Sequence, residues 1–286
     1  MSIRNPNSEF RNRPRYSRLL VPKKSGDDAV LGLLYLHDPL GFENAGNDLV
    51  AFFRDADAAR RAAEALRARK VRHDLTPDIS EGDPLEAYRA ASQPFPVGRR
   101  FWIEPGEPSR AGAPEGRISL RVPASRAFGT GTHASTRLAL LALEDEALEG
   151  RTVLDVGTGS GVLALAAAAL GARLAVGLDI DVEAVFVARE NLARHAFGDR
   201  VRLFAGPLAA CAGKFDLVVA NMLAGEILPE ARRLLGGAAR RGRVLLSGVT
   251  RDREHSVLAK MRTGRWKLDG RRTEGEWISL CLAYAS

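Results

Sequence analysis

Residues 152–161 read TVLDVGTGSG, and this stretch restricts the fold more than any other in the chain. A short apolar run, Val153, Leu154 and Val156, ends in glycines at alternate positions, Gly157, Gly159 and Gly161, and an alanine- and leucine-rich segment follows to Leu170. That order predicts strand, tight turn and helix. A second apolar run over 174–178 ends at Asp179, twenty-two residues after Gly157. In a doubly wound sheet this is where an acid holds a ribose diol, so a nucleoside-bearing cofactor is expected.

Glycine spacing narrows the choice of nucleoside. A dinucleotide fingerprint needs its third glycine where Val162 stands, and Gly161 comes one residue early. Asp155, two residues before the first glycine, would repel a pyrophosphate and attract the ammonium or sulfonium of S-adenosyl-L-methionine. The acid together with Gly157 and Gly159 therefore favours that cofactor over NAD. The alternative is a glycine-rich turn that serves packing alone, and Asp179 at the right distance argues against it.

A length of 286 residues suggests about two domains with a sizeable core. Cys211 and Cys281 lie far apart without ligand-spaced histidines, which indicates neither a disulfide framework nor a zinc site and fits a reducing cytoplasm. No apolar run approaches membrane-spanning length, and the first twenty residues lack the apolar centre of a secretory signal. The net charge is +7, but residues 1–24 carry seven basic side chains against Glu9 alone, seven minus one, leaving about +1 elsewhere. The folded body is expected to be nearly neutral, without a basic channel for nucleic acid. The arginine-rich arm, 1–18, is expected to be solvated and disordered, with weak contact to RNA phosphates as the other reading.

Along the chain, 16–22 reads as a strand, 27–36 as a helix, and 41–44 with 49–54 as a hairpin. Residues 56–69, capped by Asp55, read as a second helix and 71–75 as a last strand. This order is that of the split, ferredoxin-like α+β unit, expected over 19–76 as a small recognition domain without catalytic residues. Proline and glycine mark 77–98 as a linker, and 99–286 is the second domain. Strands are expected at 100–104 and 117–122, followed by the glycine-rich 127–136 (AFGTGTHAST) and a helix over 137–143 capped by Ser135 or Thr136. The glycine-rich stretch reads as a flexible lid over the cofactor or simply as a capped loop. His133 is a candidate to take a released proton or, more ordinarily, a residue that caps and packs. Strands at 201–204, 215–221, 243–247, 266–270 and 276–283 alternate with helices at 182–195, up to 239, and at 251–261. This predicts a largely parallel sheet with helices on both faces. Asn221 falls at a strand's carboxyl end, where such sheets bind ligands. Gly206 and Pro207 occupy the place where many methyltransferases carry an adenine-binding acid, so an adenine contact there would run through the backbone.

AFGTGTH at 127–133, DVGTGSG at 155–161, DID at 179–181, VANMLA at 219–224 and Glu276-Trp277 occur together in one order. On these motifs the chain, from about Leu19 onward, resembles the PrmA-type methyltransferases, which methylate ribosomal protein eleven of the large subunit. The resemblance implies an α/β fold: a seven-stranded, Rossmann-like, S-adenosyl-L-methionine-dependent methyltransferase domain behind a small ferredoxin-like domain that docks the target. It implies methyl transfer to lysine side-chain and N-terminal amines. Thr136, Gly157, Asp179 and Asn221 would contact the cofactor, joined by Phe128 and Thr130 from the lid, and Asn221 would aim the amine. Asp83-Pro84-Leu85 departs from the family's usual acid and tryptophan, and Ala134 from its usual proline or acid. Both departures bear on substrate pose. A cytoplasmic monomer is expected. Two alternatives stay open: a lysine methyltransferase of another protein, such as the electron-transfer flavoprotein beta subunit, or a non-catalytic ribosome-binding factor.

Overall fold

The computed structural model describes residues 16–22, 30, 32–34, 36–37, 39, 41–45, 48–53, 56–79, 93–106, 112–123 and 131–285. The chain divides into two compact units, Met1–Ser92 and Gln93–Ser286.

The first unit holds strands β1 (Tyr16–Pro22), β2 (Gly41–Ala45), β3 (Asp48–Phe53) and β4 (Asp74–Ile79), with helix α1 (Ala56–Ala68) between β3 and β4. The sheet order is β2-β3-β1-β4 with every pair antiparallel, as in the split βαβ unit. Leu19 and Val21 on β1 and Ala51 and Phe53 on β3 alternate onto one face, where they meet Ala58, Ala59, Ala62, Ala63 and Leu66 of α1. Alanine on that stripe lets the helix lie close to the sheet. The last strand begins three residues later than expected because α1 ends in a Schellman turn. Lys70 is left-handed (φ 58°), its N–H donates to the Arg67 carbonyl (2.9 Å), and Val71 N–H donates to that of Leu66 (3.0 Å). Of the helix expected over 27–36, Val30 and 32–34 are helical, and the remainder lies largely outside the described residues, as does the cap Asp55. Strand β4 runs into the segment expected as linker, whose central part, 80–92, also lies outside them.

The second unit opens with a three-stranded sheet, β5 (Phe95–Val97), β6 (Phe101–Glu104) and β7 (Ile118–Arg121), followed by α2 (Ala134–Glu144). Strands β8 (Thr152–Val156), β9 (Leu174–Asp179), β10 (Val201–Ala205), β11 (Phe215–Asn221), β12 (Ala238–Thr250), β13 (Trp266–Glu274) and β14 (Trp277–Tyr284) form the main sheet. Helices α3 (Val162–Ala169), α4 (Val182–Leu192), α5 (Ala224–Gly237) and α6 (Glu254–Met261) connect them. The order is β10-β9-β8-β11-β12-β14-β13, parallel from β10 through β12, with β14 antiparallel to both neighbours. The chain winds outward from β8 to β10 and then returns to β11 on the other side of β8. The crevice beyond the carboxyl ends of β8 and β11 is therefore the topological switch point, where ligands of such sheets bind.

Both faces of this sheet are buried. Val153, Leu217 and Val219 enter the core shared with α2, α3 and the three-stranded sheet. Leu154, Val156, Val218 and Ala220 enter the core under α5 and α6. Two-sided burial is why these strands read as continuous apolar runs. Seven of the eight residues of α3 are buried, in keeping with a helix apolar all round. Strand β12 is longer than the expected 243–247 because the chain already pairs with β11 at Ala238, opposite Phe215, before a turn with Arg241 left-handed.

Candidate active site

The glycine turn sits at the end of β8, held by the neighbouring strand: the N–H groups of Gly157 and Thr158 both donate to the Leu178 carbonyl (2.9 Å each). Gly157 has φ 69°, and a Cβ there would stand 3.1 Å from Met222 Cγ. Gly161 caps α3 in a left-handed conformation (φ 81°), and a Cβ there would meet that of Ala188 at 3.1 Å. The turn thus needs glycine both for its backbone sign and for its clearance.

Two carboxylates flank this turn. Asp155 is almost fully buried, and its Oδ2 accepts from Thr158 Oγ1 (2.6 Å) and Ala164 N–H (3.1 Å), pinning the turn to the first helical turn behind it. Its Oδ1 is buried with no hydrogen-bond partner among the described residues. Burial pushes its pKa up to about 6, against the two hydrogen bonds, and Asp179 adds repulsion. Asp179, half-buried at the end of β9, accepts from Gly159 N–H through Oδ2 (2.9 Å) and from Asp181 N–H through Oδ1 (3.0 Å). A carboxylate has about four acceptor sites, so it keeps capacity for a diol. Beside it Ile180 is 79 % exposed, an apolar surface that the sequence reading passed over because a lone isoleucine after a strand carries no pattern.

Asn221, at the end of β11, donates through Nδ2 to Thr136 Oγ1 (3.2 Å). Its Oδ1 is buried without a partner among the described residues. Thr136 comes from the first turn of α2, which begins earlier than expected and is capped by His133, not by Ser135 or Thr136. His133 Nδ1 accepts the Ser135 N–H (3.2 Å) and lies 2.7 Å from Ser135 Oγ. The ring packs edge-on against Trp277, centroids 4.7 Å apart. Burial, and then the Arg137 charge, hold the His133 pKa down to about 4, so the ring is neutral at physiological pH and a weak base.

The tertiary structure adds residues that the sequence reading had not singled out. Arg137 donates to the Thr132 carbonyl and to Glu274 on β13, joining the base of the glycine-rich stretch to the sheet edge. Ser247 Oγ donates to the Ser135 carbonyl (2.7 Å), while Met222 N–H donates to the Ser247 carbonyl (3.1 Å). These residues come from distant parts of the sequence, and only the third dimension relates them. Gly206 N–H donates to the Asp179 carbonyl (2.8 Å) and Pro207 has no N–H, so a backbone contact with an adenine amine there would fall to a carbonyl, the group that can accept from it. Phe128 and Thr130 lie outside the described residues.

Thr136, Asp155, Gly157, Gly159, Asp179 and Asn221 thus converge on the switch point. Two orphaned acceptor oxygens, a ribose-type acid and a turn cleared of side chains fit a ligand that brings an ammonium and a ribose, as S-adenosyl-L-methionine does.

A family model described as ribosomal protein L11 methyltransferase (PrmA) matches residues 38–284. A ribosomal protein L11 methyltransferase of Pelobacter propionicus is 38% identical over 232 residues, covering 79% of this chain and 74% of the relative. One from Geobacter sulfurreducens is 41% identical over 206 residues, covering 72% and 67%. The crystal structure of a ribosomal protein L11 methylase from Lactobacillus delbrueckii subsp. bulgaricus superposes with TM-score 0.63 at 30% identity, over 68% of this chain and 100% of that one. The match runs through every strand of the main sheet and every described residue of the switch-point site, and on that extent the chain belongs to the ribosomal protein L11 methyltransferase (PrmA) family.

Proposed function

We propose that this protein methylates amines of ribosomal protein L11, both lysine side chains and the N-terminus, with S-adenosyl-L-methionine as donor. The observation that carries this reading is the state of Asn221: its amide N–H is tied to Thr136, so its carbonyl is turned out as a buried acceptor. Such an acceptor suits an incoming amine N–H. The cofactor, when bound, supplies a methyl group already activated by its sulfonium. Asp179 would hold its ribose, the Gly157 and Gly159 backbone would leave room for it, and Asp155 would offer a carboxylate to its ammonium.

The amine must arrive neutral, and its pKa in water is near ~10.4. Burial in the crevice and a neighbouring positive charge both lower that value. Asn221 Oδ1 then accepts one N–H and aims the nitrogen lone pair, which is an orienting contribution and not a proton transfer. His133 caps α2.

Intact-mass spectrometry tests the reading. Purified L11 incubated with the enzyme and S-adenosyl-L-methionine gains mass in multiples of one methyl, while the electron-transfer flavoprotein beta subunit gains none. Modification of the flavoprotein subunit alone would move the substrate assignment. Mass gain on neither, with cofactor binding intact, would leave a non-catalytic factor.

A further inference from the structure

We propose that the edge of the seven-stranded sheet opposite the candidate active site binds the phosphodiester backbone of RNA. The inference rests on the reading above, since a ribosomal substrate belongs to an assembly whose other component is RNA.

The parallel strands enter the sheet at this edge, and the chain places cations on three neighbouring entries. Lys214 immediately precedes β11, Arg232 and Arg233 lie toward the end of α5, and Arg240 and Arg241 open β12. All five are exposed. Pairing of Phe215 with Ala238 brings the first and last of these segments together. Lys214, Arg232 and Arg233 line a cavity of about 470 Å³ with the backbone of Gly213, Gly236 and Gly237.

The local charges are accounted for unevenly. Lys214 Nζ donates to the Gly236 carbonyl, which covers the negative end of α5 that would otherwise repel phosphate. Arg233 pairs with Glu230 (3.0 Å). Asp216, two residues after Lys214, is taken by the Thr152 N–H (2.9 Å), the Thr152 hydroxyl (3.0 Å) and Arg151 (3.3 Å). Among the described residues no ion pair engages Arg232, Arg240 or Arg241.

Backbone conformation gives an independent pointer. Arg241 is left-handed, with φ 68°, where glycine or asparagine would sit at lower cost. Arg241 and its neighbour Arg240 are both exposed there, so charge is kept on the surface at a position that glycine would occupy at lower cost. Exposed charges around an open cavity do not make a closed small-anion pocket. Guanidinium forks suit phosphate oxygens, and a cavity of this size has room for a nucleoside unit; carboxylates match the same forks, so competition by poly-glutamate is the deciding comparison.

Fluorescence anisotropy of a labelled 20-nucleotide single-stranded RNA, titrated with the full chain between 50 and 200 mM KCl, tests this. The variant R232Q/R240Q/R241G should bind at least about tenfold more weakly at low salt, with a log Kd against log salt slope shallower by about 2. R241G alone should weaken binding while its thermal midpoint stays level or rises, which separates lost charge from lost fold. The same losses should appear when Arg4, Arg11, Arg13 and Arg15 are changed to glutamine, which removes the arm as the source. Methylation of free L11 by the triple variant should match the parent. Parental RNA affinity in the triple variant, disappearance of the effect in the arm-neutralised background, or equal competition by poly-glutamate would each overturn the proposal, the last in favour of an acidic protein. A parent chain that leaves L11 unmodified would defeat the functional reading and leave the RNA titration interpretable.

Discussion

Asn221 illustrates how one contact decides what a side chain can do. With Nδ2 bonded to Thr136 and Oδ1 left without a partner among the described residues, the carbonyl is the group open to an amine, so Asn221→Ala should lower kcat by roughly a hundredfold, the scale expected when a reacting group loses its alignment. Thr136→Val keeps the shape and removes the acceptor, so stability should fall by about 1–3 kcal/mol and kcat should fall with it. Isothermal titration and single-turnover rates separate the two effects. Asp155 and His133 make opposite contributions to pH dependence. The Asp155 pKa rises on folding from 3.8 to about 6, so its contribution is fully present below pH 3.8 and is lost as pH rises through 6. The His133 pKa falls from 6.5 to about 4, so its contribution is present above 6.5 and is lost as pH falls through 4. Between about pH 4 and 6 the two slopes oppose. Asp155→Asn, whose amide oxygen can still accept from Thr158 and Ala164, leaves the histidine slope alone. Its thermal midpoint should therefore climb more steeply than the parent's across that range, gaining up to about 3 kcal/mol relative to it by pH 7 in the absence of cofactor. Equal slopes for variant and parent would show that Asp155 ionises normally in the folded state.

At the level of elements, the strand–turn–helix around Gly157 depends on a backbone sign and on clearance from Met222. Gly157→Ala should cost about 1–2 kcal/mol from the left-handed φ alone and more from the 3.1 Å approach to Met222 Cγ. Adding Met222→Ala should recover the second part and leave the first, which a double-mutant cycle in urea would resolve. Helix α2 is fixed at its start by His133, Arg137 and Ser247, and through it Thr136 reaches Asn221. Arg137 and Glu274 are partly exposed, so Glu274→Gln should cost less than about 1 kcal/mol of stability. Because Arg137 also holds the Thr132 carbonyl, the KM for cofactor should rise several-fold while kcat changes little. An unchanged KM would mean that this bridge only decorates the sheet edge.

For the whole molecule, the cores are the relevant fact. Among the described residues, the two clusters of the second unit draw on none before Phe95, and the cluster of the first unit draws on none after Leu75. Residues 93–286 produced alone should accordingly show one cooperative thermal transition and bind cofactor within about threefold of the full chain, while losing most methylation of L11. Circular dichroism and calorimetry would show the failure directly, as a truncated chain without a transition. Charge also has to be judged at this scale. Outside residues 1–24 the chain sums to about +1, yet the fold gathers Lys214, Arg232, Arg233, Arg240 and Arg241 on one edge, a local excess that a net total conceals.

The sequence by itself determined the layers, the glycine turn and the position of Asp179 at a strand end. Apolar runs buried on both faces, glycines at alternate positions and Asp179 at its distance are local patterns, and local sterics dictate what each becomes: strand, left-handed turn, acid at a strand end. Its order of elements likewise anticipated the sheet of the first unit. What only the tertiary structure decided was partnership. His133, Ser135 and Thr136 look equally able to cap a helix in the sequence, and the packing of His133 on Trp277 chose between them. Asp155 was expected to attract the cofactor's ammonium or sulfonium, and only the fold shows that one of its two oxygens is committed to Thr158 and Ala164. The acceptor role open to Asn221 depends on a threonine eighty-five positions away, and contacts at such separations leave no periodic trace in a single chain.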